Sequence, residues 1–92
     1  MADHDFFFAL ELSDGMLVDD LLTDVLQAVF THVSLAPHVA GELTGVVRGV
    51  IAEGEADGHH RCDVRFEARG GQLEVAVSFA GAAPWRTTRP LP

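Results

Sequence analysis

Cys62–Phe79, CDVRFEARGGQLEVAVSF, decides the fold. In its first half Cys62, Val64 and Phe66 alternate with Asp63, Arg65 and Glu67, and the alternation resumes through Leu73, Val75, Val77 and Phe79. Successive side chains of a strand point to opposite faces, so each half has one apolar and one wet face. Between the halves, Arg69-Gly70-Gly71-Gln72 offers two glycines for the positive φ angles of a tight hairpin turn. The pattern predicts an antiparallel hairpin whose apolar face needs a cover.

That cover lies upstream. Gly15–Val33 repeats Leu17, Leu21, Val25, Val29 and Val33, with Val18, Leu22 and Leu26 beside them, which predicts an amphipathic helix. Asp20, Thr23, Asp24, Gln27 and Thr31 fall mostly on its wet side. Ser13 and Asp14 offer capping chemistry, and Asp14, Asp19 and Asp20 put negative charge near the positive helix end. Ser34–Pro37 breaks the chain, and Pro37 suits the first turn of a second helix. That helix runs to about Glu53 with Val39, Leu43, Val46, Val47, Val50 and Ile51 as its apolar side, and Gly54 as its stop. Glu55–Arg61 reads as a polar loop.

Further upstream, Phe6–Leu12 (FFFALEL) reads as a strand whose triple Phe is apolar on both faces, as at an interface. The order β-α-α-β-β predicts an α+β fold, a two-layer sandwich with two helices packed on one face of a small sheet. One domain covers 6–80. Residues 1–5 read as a flexible N-terminus, and 81–92 (GAAPWRTTRPLP) as a tail that is loose or docked on a partner.

The net charge of −8 is unevenly placed. Every acid before residue 48 (Asp3, Asp5, Glu11, Asp14, Asp19, Asp20, Asp24, Glu42) stands without an arginine or lysine in the same stretch, and all six basic residues follow. Phosphate backbones would be repelled by the first part, which argues against direct nucleic-acid binding. A protein with a basic surface is the natural complement. No apolar run approaches the ~20 residues needed to cross a bilayer, and MADHDFFFAL has acids where a secretory signal needs base. The expectation is a cytoplasmic protein with no membrane contact.

Catalytic chemistry finds few residues to use. The single cysteine, Cys62, excludes an internal disulfide and reads as a small buried strand residue. The five histidines show no metal-ligand spacing: His59 and His60 are adjacent in a polar loop, His32 and His38 flank the helix–helix turn, and His4 lies near the terminus. Ser13, Ser34 and Ser78 sit in no nucleophile elbow, and Gly70-Gly71 belongs to a hairpin rather than a phosphate loop. The sequence therefore predicts no enzyme, no metal and no cofactor.

Three glycines remain to be explained. Gly41, Gly45 and Gly49 recur every fourth residue and line one face of the second helix. Each costs about 1 kcal/mol relative to alanine. A packed neighbour at close range, or a ligand face stripped bare, would account for them.

Leu43–Gly54 (LTGVVRGVIAEG), followed by the hairpin that ends Leu73–Trp85 (LEVAVSFAGAAPW), resembles the ATP-binding fold of the anti-sigma-factor serine kinases. Those kinases belong with the GHKL (Bergerat-type) ATPases, and the resemblance covers Phe6–Trp85. The family helix reads roughly V-S-E-A-V-x-N-A-V-x-H-G, its Glu activating water and its Asn holding magnesium. A later V-x-V-x-D-x-G-x-G supplies an Asp that reads adenine. In this chain the Glu position falls on Gly45, the Asn position on Gly49, the His position on Glu53 and the Asp position on Phe79. Gly81 keeps the next glycine and Ala83 replaces the one after, while the chain contains no asparagine at all.

The resemblance thus implies a degenerate, shortened, non-catalytic relative that acts as a protein-binding regulatory domain. Asp19, Asp20 and Asp24 would meet a basic partner, Trp85 and Arg86 would add an anchor, and Gly41, Gly45 and Gly49 would admit a close neighbour. A homodimer is expected, with that glycine face as its contact. The alternatives are a structural subunit of a larger or homo-oligomeric assembly, an acidic inhibitor imitating nucleic acid, and a small-ligand binder using Arg48, His59 or His60.

Overall fold

In a computed structural model, residues 6–13 and 20–91 are described, with side chains at all of these except 20 and 21. The elements are β1 (Phe6–Ser13), α1 (Asp20–His32), α2 (Pro37–Ala56), β2 (Arg61–Arg69), β3 (Gln72–Phe79) and β4 (Trp85–Pro90). All four strands join one antiparallel sheet in the order β1-β2-β3-β4. The α+β fold expected from the alternation is the one observed.

The hairpin forms as its residues dictate. Arg69 pairs with Gln72, and Gly70 (φ 61°) and Gly71 (φ 78°) take the two positive φ angles between them. Directly paired residues share a sheet face. One face therefore carries the rows Leu12–Cys62–Phe79, Leu10–Val64–Val77–Trp85, Phe8–Phe66–Val75–Thr87 and Phe6–Ala68–Leu73–Arg89. Against it pack Leu22, Leu26, Val29 and Phe30 of α1 and Leu43, Val47 and Ile51 of α2, all buried. Phe30 meets Phe66 edge-on at 6.0 Å, a geometry worth about 0.5–1.5 kcal/mol beyond its area. The other face holds Arg65, Glu67, Glu74 and Arg86 among small residues and stays wet, as an antiparallel sheet permits.

Both helices end by the same device. In α1, Leu35 N–H donates to Phe30 C=O and Ser34 N–H to Thr31 C=O, each at 3.0 Å, with Ser34 at φ 62°. In α2, His59 N–H donates to Gly54 C=O and Gly58 N–H to Glu55 C=O, each at 3.0 Å, with Gly58 at φ 97°. These paired bonds are Schellman motifs, which satisfy carbonyls the helix leaves free.

Three sequence expectations need correction. The segment expected as a tail, loose or docked on a partner, instead contains a fourth strand, Trp85–Pro90, paired with β3 of its own sheet, so the order is β-α-α-β-β-β. Leu91 N–H also donates to Gly71 C=O at 2.8 Å, fastening the residue after β4 to the hairpin turn. β4 is hidden in the sequence because its helix-side positions are Trp85, Thr87 and Arg89, whose polar groups conceal the alternation. Gly54 does not stop α2, which continues to Ala56 and is capped through Gly58. Ser13 is the last residue of β1 rather than a helix cap. The first helix is described only over Asp20–His32; its expected start, with Asp14 and Asp19, lies outside the described residues, as do residues 1–5.

Candidate protein-binding surfaces

On α2 the apolar residues Leu43, Val47 and Ile51 face the sheet at full burial, which turns Gly41, Gly45 and Gly49 outward. All three glycines are exposed, and a Cβ added at any of them would meet nothing within 4 Å beyond its chain neighbours and the adjoining helix backbone. No neighbour inside the described fold therefore accounts for the row. Ala52 continues it, one turn further on, as another exposed small residue. Arg48 borders the strip; its Nε is buried and has no hydrogen-bond partner among the described residues.

Gly54 is the opposite case. It is buried, and a Cβ there would collide with the ring of Phe79. His59 stacks on the same ring at 4.9 Å between centroids. From sequence Gly54 is expected only to cap the helix; the signal for its packing role is its place one heptad beyond Val47 on the buried side.

The other expected contacts fall in different places. Asp24 is exposed on α1; Asp19 and the Asp20 side chain lie outside the described parts. Trp85 and Arg86 sit on β4 with opposite facing, Trp85 half-buried against the core and Arg86 exposed on the wet face. They do not form one anchor. Arg86 instead shares a cross-strand row with Ala9, Arg65 and Ala76. Nor do Gly45, Gly49 and Phe79 converge, since the two glycines are exposed while Phe79 packs against the buried side of the same helix.

Burial pushes the Cys62 thiol up to about 11, and the charge of Asp63 adds to the effect. Cys62 is thus a neutral thiol at physiological pH and a poor nucleophile. Among the described residues no group of three or more His, Cys, Asp or Glu side chains stands where it could hold a metal ion. A depression of ≈ 300 Å³ lined by Glu67, Arg69, Gln72, Glu74 and Thr88 lies on the wet face of the sheet, and Arg69 and Glu67 in its lining form an ion pair. None of the described helices is long and apolar enough to cross a membrane.

The largest exposed apolar side chains gather on β1. Phe7 is 63% exposed on the wet face, and Phe8 is 38% exposed at the open edge of the helix-side face. Val46, also 38% exposed, lies on α2. Comparison with protein-family models, with curated proteins and with solved structures gave no match to this chain.

Proposed function

We propose that the chain is a non-catalytic, cytoplasmic protein-binding regulatory domain, of the kind implied by its resemblance to anti-sigma-factor kinases without their ATP-site residues. The observation that carries this reading is the outward glycine row. Three glycines on an exposed helix face cost roughly 3 kcal/mol and relieve no crowding within the described fold. A body from outside, approaching the backbone of α2 closely, gives the expense a purpose. The acidic first part of the chain, with Asp24 exposed on α1, favours a partner with a basic surface.

Two measurements test this. Excess Mg-ATP or Mg-ADP should leave the melting temperature unchanged. A bound nucleotide at ~100 times its dissociation constant would raise it by about 4–8 °C per kcal/mol for a domain of this size, and such a rise would overturn the non-catalytic reading. In-cell crosslinking of the wild type and Gly45→Leu should then show a protein captured by the first and lost by the second. An unchanged set of captured proteins would remove the glycine row from the account.

A second reading, a subunit of a homo-oligomeric assembly, is favoured by a different observation: the exposed Phe7 and Phe8 on a sheet edge that has no partner strand among the described residues.

A further inference from the structure

The sheet ends in two edges that are built differently. β4 carries Arg86, Arg89 and Pro90, and Arg89 Nη1 donates to the Thr87 hydroxyl and, at 3.0 Å, to the Thr88 carbonyl of its own strand. Charges, a proline and a side chain engaging the strand's own backbone are devices that keep an edge from pairing. β1 has one of them, a single charge. Its eight residues, FFFALELS, include no proline, no glycine and no basic residue, and Glu11 is the single charge. One edge of β1 pairs with β2 along its whole length, from Phe6–Ala68 to Ser13–Arg61. The other edge has no partner strand among the described residues.

We propose that this edge pairs antiparallel with β1 of a second copy, about a two-fold axis at Ala9, so that two four-stranded sheets become one continuous sheet. The proposal deepens the assembly reading and is independent of the regulatory one. It selects a second copy because the strand complements itself. In that register Phe6 lies opposite the other Leu12, Phe8 opposite the other Leu10, and Ala9 opposite Ala9. The helix-side row of each copy then runs apolar into that of the other, and Phe8 gains the cover it lacks.

Charge selects the same arrangement. The chain carries −8, so two copies repel wherever acids face each other, and β1 offers an apolar run from Phe6 to Leu10. With the axis at Ala9 each Glu11 lies opposite Phe7 of the other copy. The two carboxylates are then four residues apart along the strand, about 14 Å, which exceeds the screening length at physiological salt. With the axis at Leu10 they would be about 7 Å apart.

On the flank of α1 beside this edge, His32 packs on Phe6 at 4.8 Å, and Val25 lies on the same flank by spacing. Asp24 is exposed on the outer side of that flank, one turn before Ala28. The glycine row of α2 stays free in this dimer.

The test is the oligomeric mass of the full chain by sedimentation or native mass spectrometry, beginning with the wild type at twice 9.9 kDa. Ala9 is exposed and lies opposite Arg65 on β2, so Ala9→Glu gains a cross-strand ion pair within the monomer while placing two carboxylates face to face at the axis. It should be folded and monomeric. Ala9→Lys should also be monomeric alone, and mixing the two variants should restore a dimer containing one of each. A monomeric wild type, a dimeric Ala9→Glu, or a mixture that stays monomeric with both variants folded would overturn the proposal. So would Gly45→Leu becoming monomeric while Ala9→Glu does not, which would move the interface to α2. The nucleotide and crosslinking tests of the regulatory reading can fail without affecting any of these masses.

Discussion

Gly49 and Gly54 stand five residues apart on α2 in opposite surroundings. A Cβ at Gly54 would collide with the Phe79 ring, whereas one at Gly49, Gly45 or Gly41 would meet nothing beyond its chain neighbours and the adjoining helix backbone. The same residue type therefore serves two ends on one helix. At Gly54 the missing Cβ makes room for an aromatic ring that seats the end of β3 on the helix. In the outward row the missing Cβ atoms make room for nothing in the described chain. Sequence treats the four alike; only packing separates them.

The sharpest way to break that contrast is to fill the occupied site. Gly54→Leu should destabilise the fold by about 3 kcal/mol, because it forces the Phe79 ring out of its seat and loses the ring's burial. Chemical denaturation measures this directly. Repeating the substitution in a Phe79→Ala background separates the collision from any intrinsic effect of leucine in the helix. Most of the cost should vanish there, and a cost that persists undiminished would mean that Phe79 is not what the glycine accommodates.

Filling the open sites should do the reverse. Alanine at Gly41, Gly45 and Gly49 together should raise stability by roughly 2–3 kcal/mol, the helix-propensity gain with no opposing clash. At about 4–8 °C per kcal/mol the melting temperature responds clearly. A fall in stability would show that the row is covered in the free protein. A gain, joined to loss of the partner in crosslinking, would show stability given up for contact.

A third probe sits in the same corner as Gly54. Cys62 is the cross-strand partner of Phe79, and burial foremost, with Asp63 second, raises its thiol to about 11 from an ordinary value of 9.0. The folded state thus holds the thiol proton more tightly than the unfolded state. The resulting stability is complete below pH ~9 and is lost as pH rises through about 11. The chain has no lysine or tyrosine, so no other side-chain type with an ordinary pKa in that window contributes. The alkaline loss should be on the order of 2 kcal/mol and should be absent in Cys62→Ala. Equal alkaline slopes in the two proteins would show that the thiol is not the group responsible.

These probes also mark where the sequence was readable. The β2–β3 hairpin was legible because two independent signals agreed, the alternation through Val64, Phe66, Val75 and Val77 and the glycine pair that the turn requires. The wet side of α2 was legible from spacing alone. The end of that helix was not, because Gly54 and Gly58 both qualify locally and the contact with Phe79 is remote in sequence. β4 was hidden for another reason: Thr87 and Arg89 face the helix side with their polar groups, so nothing in WRTTRP alternates visibly. Of the expected site, the glycine row keeps its single face, whereas Trp85 and Arg86 point apart because neighbours on a strand must.

The smallest expected effect inverts the comparison, since it concerns a place where glycine would fit and is missing. Ser34 closes α1 at φ 62°, the left-handed region that costs a residue with a Cβ about 1–2 kcal/mol. Its position in the motif matches that of Gly58 after α2, and the N–H groups of Ser34 and Leu35 make the corresponding bonds to Thr31 and Phe30. Ser34→Gly keeps those bonds and removes the steric strain, but it also loosens the unfolded chain, which returns part of the gain. The net should be a stabilisation of about 0.5–1 kcal/mol, read by denaturant midpoint with an unchanged slope. Ser34→Ala separates backbone strain from the hydroxyl: it retains the Cβ and should gain nothing. If alanine stabilised as much as glycine, the hydroxyl would be the source of the cost, and the left-handed turn at α1 would not be the counterpart of the one at Gly58.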